Sequence, residues 1–404
     1  MNKATKLITA GKNYKENFGS VNAPVHRTST VLFPTMDAYH QAEQGKPYYK
    51  IKGNVATDYS YGISGTPTAF ALQNAICEIE GAKYCLLYPS GLAAITMSLF
   101  ALLESGDHVL ISDSAYAPTR RFFNKELSRF GVEATYYDPL AGEGIAKHIK
   151  KNTKLIFTES PGSLTFEVQD IPAITKIAKS FDIPVIIDNS WATPLYFDPF
   201  KHGVDISLQA GTKYIGGHSD VILGVVTTNN DKLYQLLARV RRNYGITVSP
   251  DDCYLANRGI RTMGLRLKAH EESALAVAKW LKERPEVKVM LHPAFPSCPG
   301  HELWKRDFSG STGLFSFILD KKYSKEAVAN MVDNMKIFGI GASWGGFESL
   351  IMPVDPSAIR TASSWPHKST CIRVYIGLED VSDIIKDMEN GLLRLKEADR
   401  GQVI

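Results

Sequence analysis

The sequence predicts an α/β fold: a large, mostly parallel sheet with helices on both faces, followed by a smaller C-terminal α/β domain. Three observations carry this. From about residue 66 to 226, short apolar runs of strand length alternate with helical patterns, as in β-α-β units packed into one sheet. Two of those runs, 185–187 and 206–210, each lead to one charged residue, Asp188 and Lys213. After Val226 the pattern changes to longer helices with short strands between them. At 404 residues the chain exceeds one ordinary domain. The expected division is an arm over 1–64, a ligand-binding domain over 65–260 and a C-terminal domain over 261–404.

Residues 1–64 show little sustained periodicity, and VNAPVHRTSTVLFPT reads as an extended arm. The large domain opens at Thr66-Pro67, a helix start, with Leu72, Ile76 and Ile79 at helical spacing and Gly81 placed to close the helix. A strand over 85–88 follows, then the turn Pro89-Ser90-Gly91 and an apolar helix over 92–103. Strands at 109–112 and 155–158, a helix over 171–180 and the strand at 185 complete the alternation. Beyond it come a helix over 231–242, an irregular NYGITVSPDD, and a helix over about 264–283. Strands at 287–291, 313–319 and 371–376 belong to the second domain. A last helix carries Val381, Ile384, Ile385, Met388 and Leu392 on one face.

Composition excludes several classes. With 46 basic and 42 acidic residues the net charge is +4, too small and dispersed for a nucleic-acid partner. No apolar run approaches the ~20 residues of a membrane helix. Five widely spaced cysteines without a CxxC pair argue against a disulfide framework and a zinc site, so no metal is expected. Lys, Asn and Gly interrupt the N-terminus before a secretory core can form, and the expected location is the cytoplasm.

In an open α/β sheet, ligands bind outside the carboxyl ends of the strands. An acid and an amine delivered there, Asp188 and Lys213, would face one crevice. Beside them Thr212 can donate to a phosphate, and Gly211, Gly216 and Gly217 let backbone approach a ligand. The Ser90-Gly91 turn offers backbone N–H groups at a helix N-terminus, where phosphate is stabilised. Tyr116, just past a strand end, can stack on a heteroaromatic ring. Pyridoxal phosphate needs a lysine for a Schiff base and a charged partner for its pyridine nitrogen, and Lys213 and Asp188 supply both.

The blocks DNSWATP and QAGTKYIGGHSD resemble the Cys/Met-metabolism enzymes of pyridoxal phosphate fold type I, and the similarity runs from about Val21 to Leu393. The resemblance implies that Lys213 carries the cofactor and Asp188 faces the pyridinium. It implies that Gly91, Leu92 and Thr212 hold the phosphate, together with Tyr61 from a neighbouring subunit. By the same carry-over Tyr116 stacks on the ring and assists proton handling, Arg373 clamps the substrate α-carboxylate, and Ser343 and Trp344 line the substrate pocket. The expected partners are a small sulfur amino acid and other copies of the chain, in a homotetramer built as a dimer of dimers.

The implied reaction is β-elimination of L-cystathionine in methionine biosynthesis, with cysteine desulfhydration and alanine racemisation as side activities. The alternative is γ-chemistry on the same scaffold. ESPGSLTFEV without an Asn-Pro pair, and Trp344 where γ-acting relatives usually have leucine, argue against it. Ala210 likewise lacks the hydroxyl of many γ-acting relatives. A cofactor-binding regulator is a remoter alternative. One departure stands out: Ile63 occupies a position where many relatives place a phosphate-binding arginine.

Overall fold

The computed structural model describes residues 1–15, 17–44, 46, 48–49 and 59–400. Its strands are β1 (Tyr84–Tyr88), β2 (His108–Ser112), β3 (Glu133–Tyr137), β4 (Thr153–Glu159), β5 (Val185–Asp188), β6 (Ile206–Ala210), β7 (Gly224–Thr228), β8 (Val287–Leu291), β9 (Leu314–Leu319), β10 (Gly339–Ile340), β11 (Leu350–Val354) and β12 (Cys371–Tyr375). The first seven form one sheet in the order β1-β7-β6-β5-β4-β2-β3, and the last five a second in the order β10-β11-β12-β9-β8. In the large sheet only β7 runs against its neighbours β1 and β6.

Both faces of the large sheet are covered, as a parallel sheet requires. Leu155, Phe157 and Ile186 pack with Ile95 and Leu99 of the Gly91–Leu102 helix on one side. Ile156 and Val185 pack with Ile174 and Ala178 of the Ile171–Ser180 helix on the other. In the second sheet Phe315, Phe317 and Leu319 lie against Ile384, Met388, Leu392 and Leu395 of the last helix. Leu314 and Ile318 share a cluster with Ile187 and Tyr214 of the large domain.

One helix, Pro250–Lys282, joins the two layers over 33 residues. Its first part packs Cys253, Ala256, Ile260, Met263 and Leu267 with large-domain residues. Its last part packs Ala274, Val277, Ala278 and Leu281 into the second core. The helix thus changes partner between Leu267 and Ala274, and residue 260 lies inside it. Truncating Leu267 or Leu281, both 0% exposed, to alanine costs about 2–5 kcal/mol.

That helix begins earlier than residue 264. VSPDD is its start: the Ser249 side chain accepts from Asp251 N–H, Pro250 stands in the first turn, and Asp251 and Asp252 face the positive helix end. In the N-terminal segment, helices Lys3–Thr9 and Met36–Glu43 stand where weak periodicity gave no expectation. Lys3–Thr9 is held through tertiary contacts: Leu7 is buried, and Arg261 Nη1 donates to the carbonyls of Leu7 and Ala10. Residues 50–58 of the expected arm lie outside the described residues. Among the described residues, no helix is long and apolar enough to cross a membrane.

Candidate active site between the two sheets

Parallel pairing sets two carboxylates side by side. Glu159 and Asp188 end β4 and β5 and are register partners. Beyond β6, the chain must reverse to pair antiparallel with β7, with Ala210 opposite Gly224. Lys213 sits on that reversal. The strand order therefore delivers acid and amine to one end of the sheet.

The second sheet covers the amine. Lys213 Nζ donates to Ser343 Oγ at 2.6 Å and lies 5.2 Å from the centre of the Trp344 ring. Ser343 has φ of 125°, a conformation that L-residues rarely adopt and that costs about 1–3 kcal/mol. Gly345 has φ of 92°, and a Cβ there would lie 2.8 Å from Lys213 Cα and C. Behind this turn Tyr375 OH donates to Gly346 O at 2.8 Å, and the buried His270 Nε2 lies 3.1 Å from the same hydroxyl.

Burial lowers Lys213 to about 8, the positive charge of Arg373 pushes the same way, and Asp188 opposes both. Burial raises Asp188, while the bonds from Ser190 and the charge of Lys213 hold it back. Ser190 N–H donates to Asp188 Oδ1 at 3.0 Å, and Ser190 Oγ accepts from Ala210 N–H at 2.6 Å, tying the ends of β5 and β6 together.

Glu159 is the residue that the sequence reading missed. Burial holds it well above the usual carboxylate range, the neighbouring Asp188 adds to this, and its counterweight is the Tyr116 N–H donated at 2.7 Å. Its signal was legible: a lone acid closing a buried strand in ESPGS, by the same logic that singled out Asp188. Tyr116 itself is 46% exposed and raised by burial, with Glu159 and Asp188 adding to the shift. Arg373, on β12, donates through Nη2 to Gly341 O at 3.2 Å and Ser343 O at 3.4 Å.

Lys213, Asp188, Tyr116, Arg373, Ser343 and Trp344 thus lie around one space. Gly91 and Leu92 form the first turn of a helix whose Ser90 side chain accepts from Ala93 N–H. A Cβ on Gly91 would meet Ala210 Cβ at 2.8 Å, so this turn presses against the end of β6. Tyr61 stands apart. It pairs with Thr30 in an isolated bridge, is 51% exposed, and shares no hydrogen bond or ring contact with Lys213, Asp188 or Tyr116 among the described residues.

The reversal after β6 is also closely packed. Thr212 Oγ1 accepts from Leu223 N–H at 3.0 Å and lies 3.2 Å from Leu223 O, so its hydroxyl braces the reversal. Two of the glycines nearby are also needed for packing. A Cβ on Gly211 would strike Leu223 at 2.9 Å, and one on Gly217 would strike Arg266 at 2.0 Å. Among the described residues no group of His, Cys, Asp and Glu is arranged to hold a metal.

The donor set fits pyridoxal phosphate. It supplies a lysine with a depressed pKa, a buried carboxylate at the neighbouring strand end, a half-exposed phenol ring and a helix N-terminus with a glycine.

Comparison with known proteins gives the same chemistry. The family described as Cys/Met metabolism PLP-dependent enzyme matches residues 4–393. The L-alanine/L-glutamate racemase of Wolbachia pipientis wMel is 46% identical over 98% of this chain and 98% of its own. Cystathionine beta-lyase MetC of Escherichia coli K12 is 43% identical over 97% of this chain and 98% of its own. The crystal structure of metB from Corynebacterium glutamicum superposes with a TM-score of 0.87 at 31% identity, covering 98% of each chain.

Proposed function

The chain belongs to the Cys/Met metabolism PLP-dependent enzyme family, and we propose that it is a carbon–sulfur lyase converting L-cystathionine and water to homocysteine, pyruvate and ammonia by β-elimination. The observation that carries this reading is Lys213, an amine held near neutrality between Asp188 and Arg373 and fixed by Ser343. Relatives named cystathionine beta-lyase are 41–47% identical, against 33% for a cystathionine gamma-lyase of Dictyostelium discoideum, which favours β- over γ-chemistry.

Bound pyridoxal phosphate supplies an electron sink for negative charge developing at the substrate Cα. Lys213 would hold its aldehyde carbon, Asp188 its ring nitrogen, Tyr116 its ring face, and the N–H groups of Gly91 and Leu92 its phosphate. Thr212 and a partner subunit's Tyr61 complete the proposed phosphate site. Arg373 binds the substrate α-carboxylate through its guanidinium fork, a planar match that lysine lacks.

Displaced from the aldehyde carbon by the substrate amine, Lys213 Nζ is free to remove the Cα proton. A pKa of about 8 leaves an appreciable fraction of free amine near neutral pH, and Ser343 Oγ orients it. The C–S bond breaks, and the proton on Nζ passes to the departing sulfur. Trp344 covers the amine, so the transfer occurs away from bulk water.

A second reading concerns L-alanine, which has no leaving group. The racemase relative favours it, and so does the Tyr116 phenol, a candidate proton donor from the other face. Incubation of L-alanine in deuterated water tests it: deuterated D-alanine is the expected product, and Cα exchange without D-alanine excludes a second donor.

We also infer a homotetramer in the cytoplasm. Half-exposed Tyr61 and the exposed Ile222 and Tyr244 support burial against other copies, and five unpaired, buried cysteines suit a reducing compartment. Purified protein given L-cystathionine should release pyruvate and free thiol in equal amounts. Lys213→Ala should abolish both, and borohydride should fix the cofactor on Lys213. A label on another lysine, or thiol without pyruvate, would overturn the reading.

A further inference from the structure

Asp113 lies three residues before Tyr116, in the turn between β2 and the Ala117–Lys125 helix, and is fully buried. Its carboxylate gathers an unusual number of donors. From its own domain Arg120 Nη1 reaches Oδ1 at 2.9 Å. The rest come from the connection between β11 and β12. Thr361 N–H donates to Oδ1 at 3.0 Å, while Ala362 N–H at 3.0 Å and Ser363 N–H at 2.8 Å reach Oδ2. The hydroxyls of Thr361 and Ser363 donate at 2.9 and 2.8 Å. Arg120 Nη2 also reaches Thr361 Oγ1 at 2.9 Å.

These bonds join the turn that carries Tyr116 to the loop that leads, ten residues past Ser363, to Arg373. Both residues take part in the proposed site, one from each sheet. We propose that Asp113 is a positioning residue for the lyase reaction: by clamping residues 361–363 it fixes the distance between Tyr116 and Arg373, and so the seat of the substrate carboxylate. This rests on the roles assigned above to Tyr116 and Arg373.

The physical case is the concentration of charge-assisted bonds on one buried anion. Three consecutive backbone N–H groups converge on it, and no neutral side chain of the same size accepts so many. Burial pushes the carboxyl up, but the Ser363 hydroxyl and the N–H groups of 361–363 outweigh it and hold Asp113 below the usual range. In Asp113→Asn an amide NH2 group would confront those donors, and the loop would withdraw. The domains would remain joined elsewhere, through the Pro250–Lys282 helix and the packing of Leu314 and Ile318 with Ile187 and Tyr214. A shift of about 1 Å at the carboxylate clamp is enough to cost one to two orders of magnitude.

Steady-state kinetics of the holoenzyme with L-cystathionine test this. Asp113→Asn should raise KM about tenfold while kcat changes less than about threefold. Combined with Arg373→Lys it should be non-additive, with KM within about twofold of Arg373→Lys alone, because both lesions act on one contact. An unchanged KM, or effects that multiply, would overturn the proposal, since a merely structural role gives additive losses. Should Asp113→Asn fail to fold, Ser363→Ala removes one donor, and a KM rise of about threefold carries the same decision. If Arg373→Lys itself leaves KM unchanged, the proposed role of Arg373 fails, which is a separate outcome.

Discussion

Lys213 and Ser343 are 130 residues apart, yet Lys213 Nζ donates to Ser343 Oγ at 2.6 Å across the junction of the two sheets. The acceptor is held in strained backbone, at φ of 125°. Strain of this kind persists only where surrounding contacts over-determine it, here the Tyr375 bond to Gly346 and the packing of Gly345 on Lys213. The amine that the large sheet supplies is thus aimed by the small one.

The first prediction follows from the lowered pKa. Below about 8 the Nζ of Lys213 carries its proton; above it the amine is free, while exposed lysines stay charged to about 10.5. In cofactor-free protein an amine-acylating reagent should modify Lys213 with a midpoint near pH 8. Asp188→Asn removes the opposing charge and should lower that midpoint, and Arg373→Met should raise it. Modification in step with surface lysines would refute the burial of this amine.

Gly345→Ala should disable the enzyme without any change in charge. The new Cβ would lie 2.8 Å from Lys213 backbone, at a φ of 92° that alanine resists. Loss of about 1–3 kcal/mol in stability is expected, with weaker cofactor retention, read by thermal unfolding and by absorbance of the bound cofactor. Wild-type behaviour of this variant would mean that the turn does not press on Lys213.

Asp188 and Glu159 should respond differently to amide substitution. Asp188 has Ser190 and Lys213 to favour its charge, whereas Glu159 has one backbone N–H and is held well above the usual range. Glu159→Gln mimics the protonated acid and should keep kcat/KM within about fivefold, while Asp188→Asn should lose at least about a hundredfold. Equal losses in both would show that Glu159 acts as an anion.

Ile63→Arg tests the departure at the proposed phosphate site. Ile63 lies in the turn Gly62–Ser64 beside Gly245. The variant should tighten cofactor binding severalfold, measured as recovery of activity on titrating cofactor into the apoprotein, through a charge-assisted contact. Unchanged affinity would show that another cation already serves.

The sequence by itself determined the centre of the large sheet, because β2, β4 and β5 each hold a short apolar run closed by a polar residue, a local pattern, whereas the edge strand β3, Glu133–Tyr137, lacks that pattern and was not expected. Asp188 and Lys213 were legible for the same reason: the crevice lies at the carboxyl ends of parallel strands, so the residue after the strand is the one presented. Glu159 obeyed that rule too, and its partner in register only made it visible. The antiparallel course of β7 and the early start of the long helix were not expected. β7 is an apolar run like the parallel strands before it, and hydrophobic pattern alone does not encode strand direction, while the helix start was hidden in a segment rich in polar residues.

Only the tertiary structure decided how the pieces act on each other. The close packing of Thr212 and Gly211 on Leu223, and of Gly217 on Arg266, is an approach that no spacing encodes. The lowered pKa of Lys213 comes from burial and from Arg373, 160 residues away in sequence. The clamp of Asp113 on residues 361–363 joins segments about 250 residues apart. Each is a contact between non-local groups, set by how two sheets dock. Local sequence fixes which chemical groups reach the junction, and the docking fixes their distances and the state of their protons.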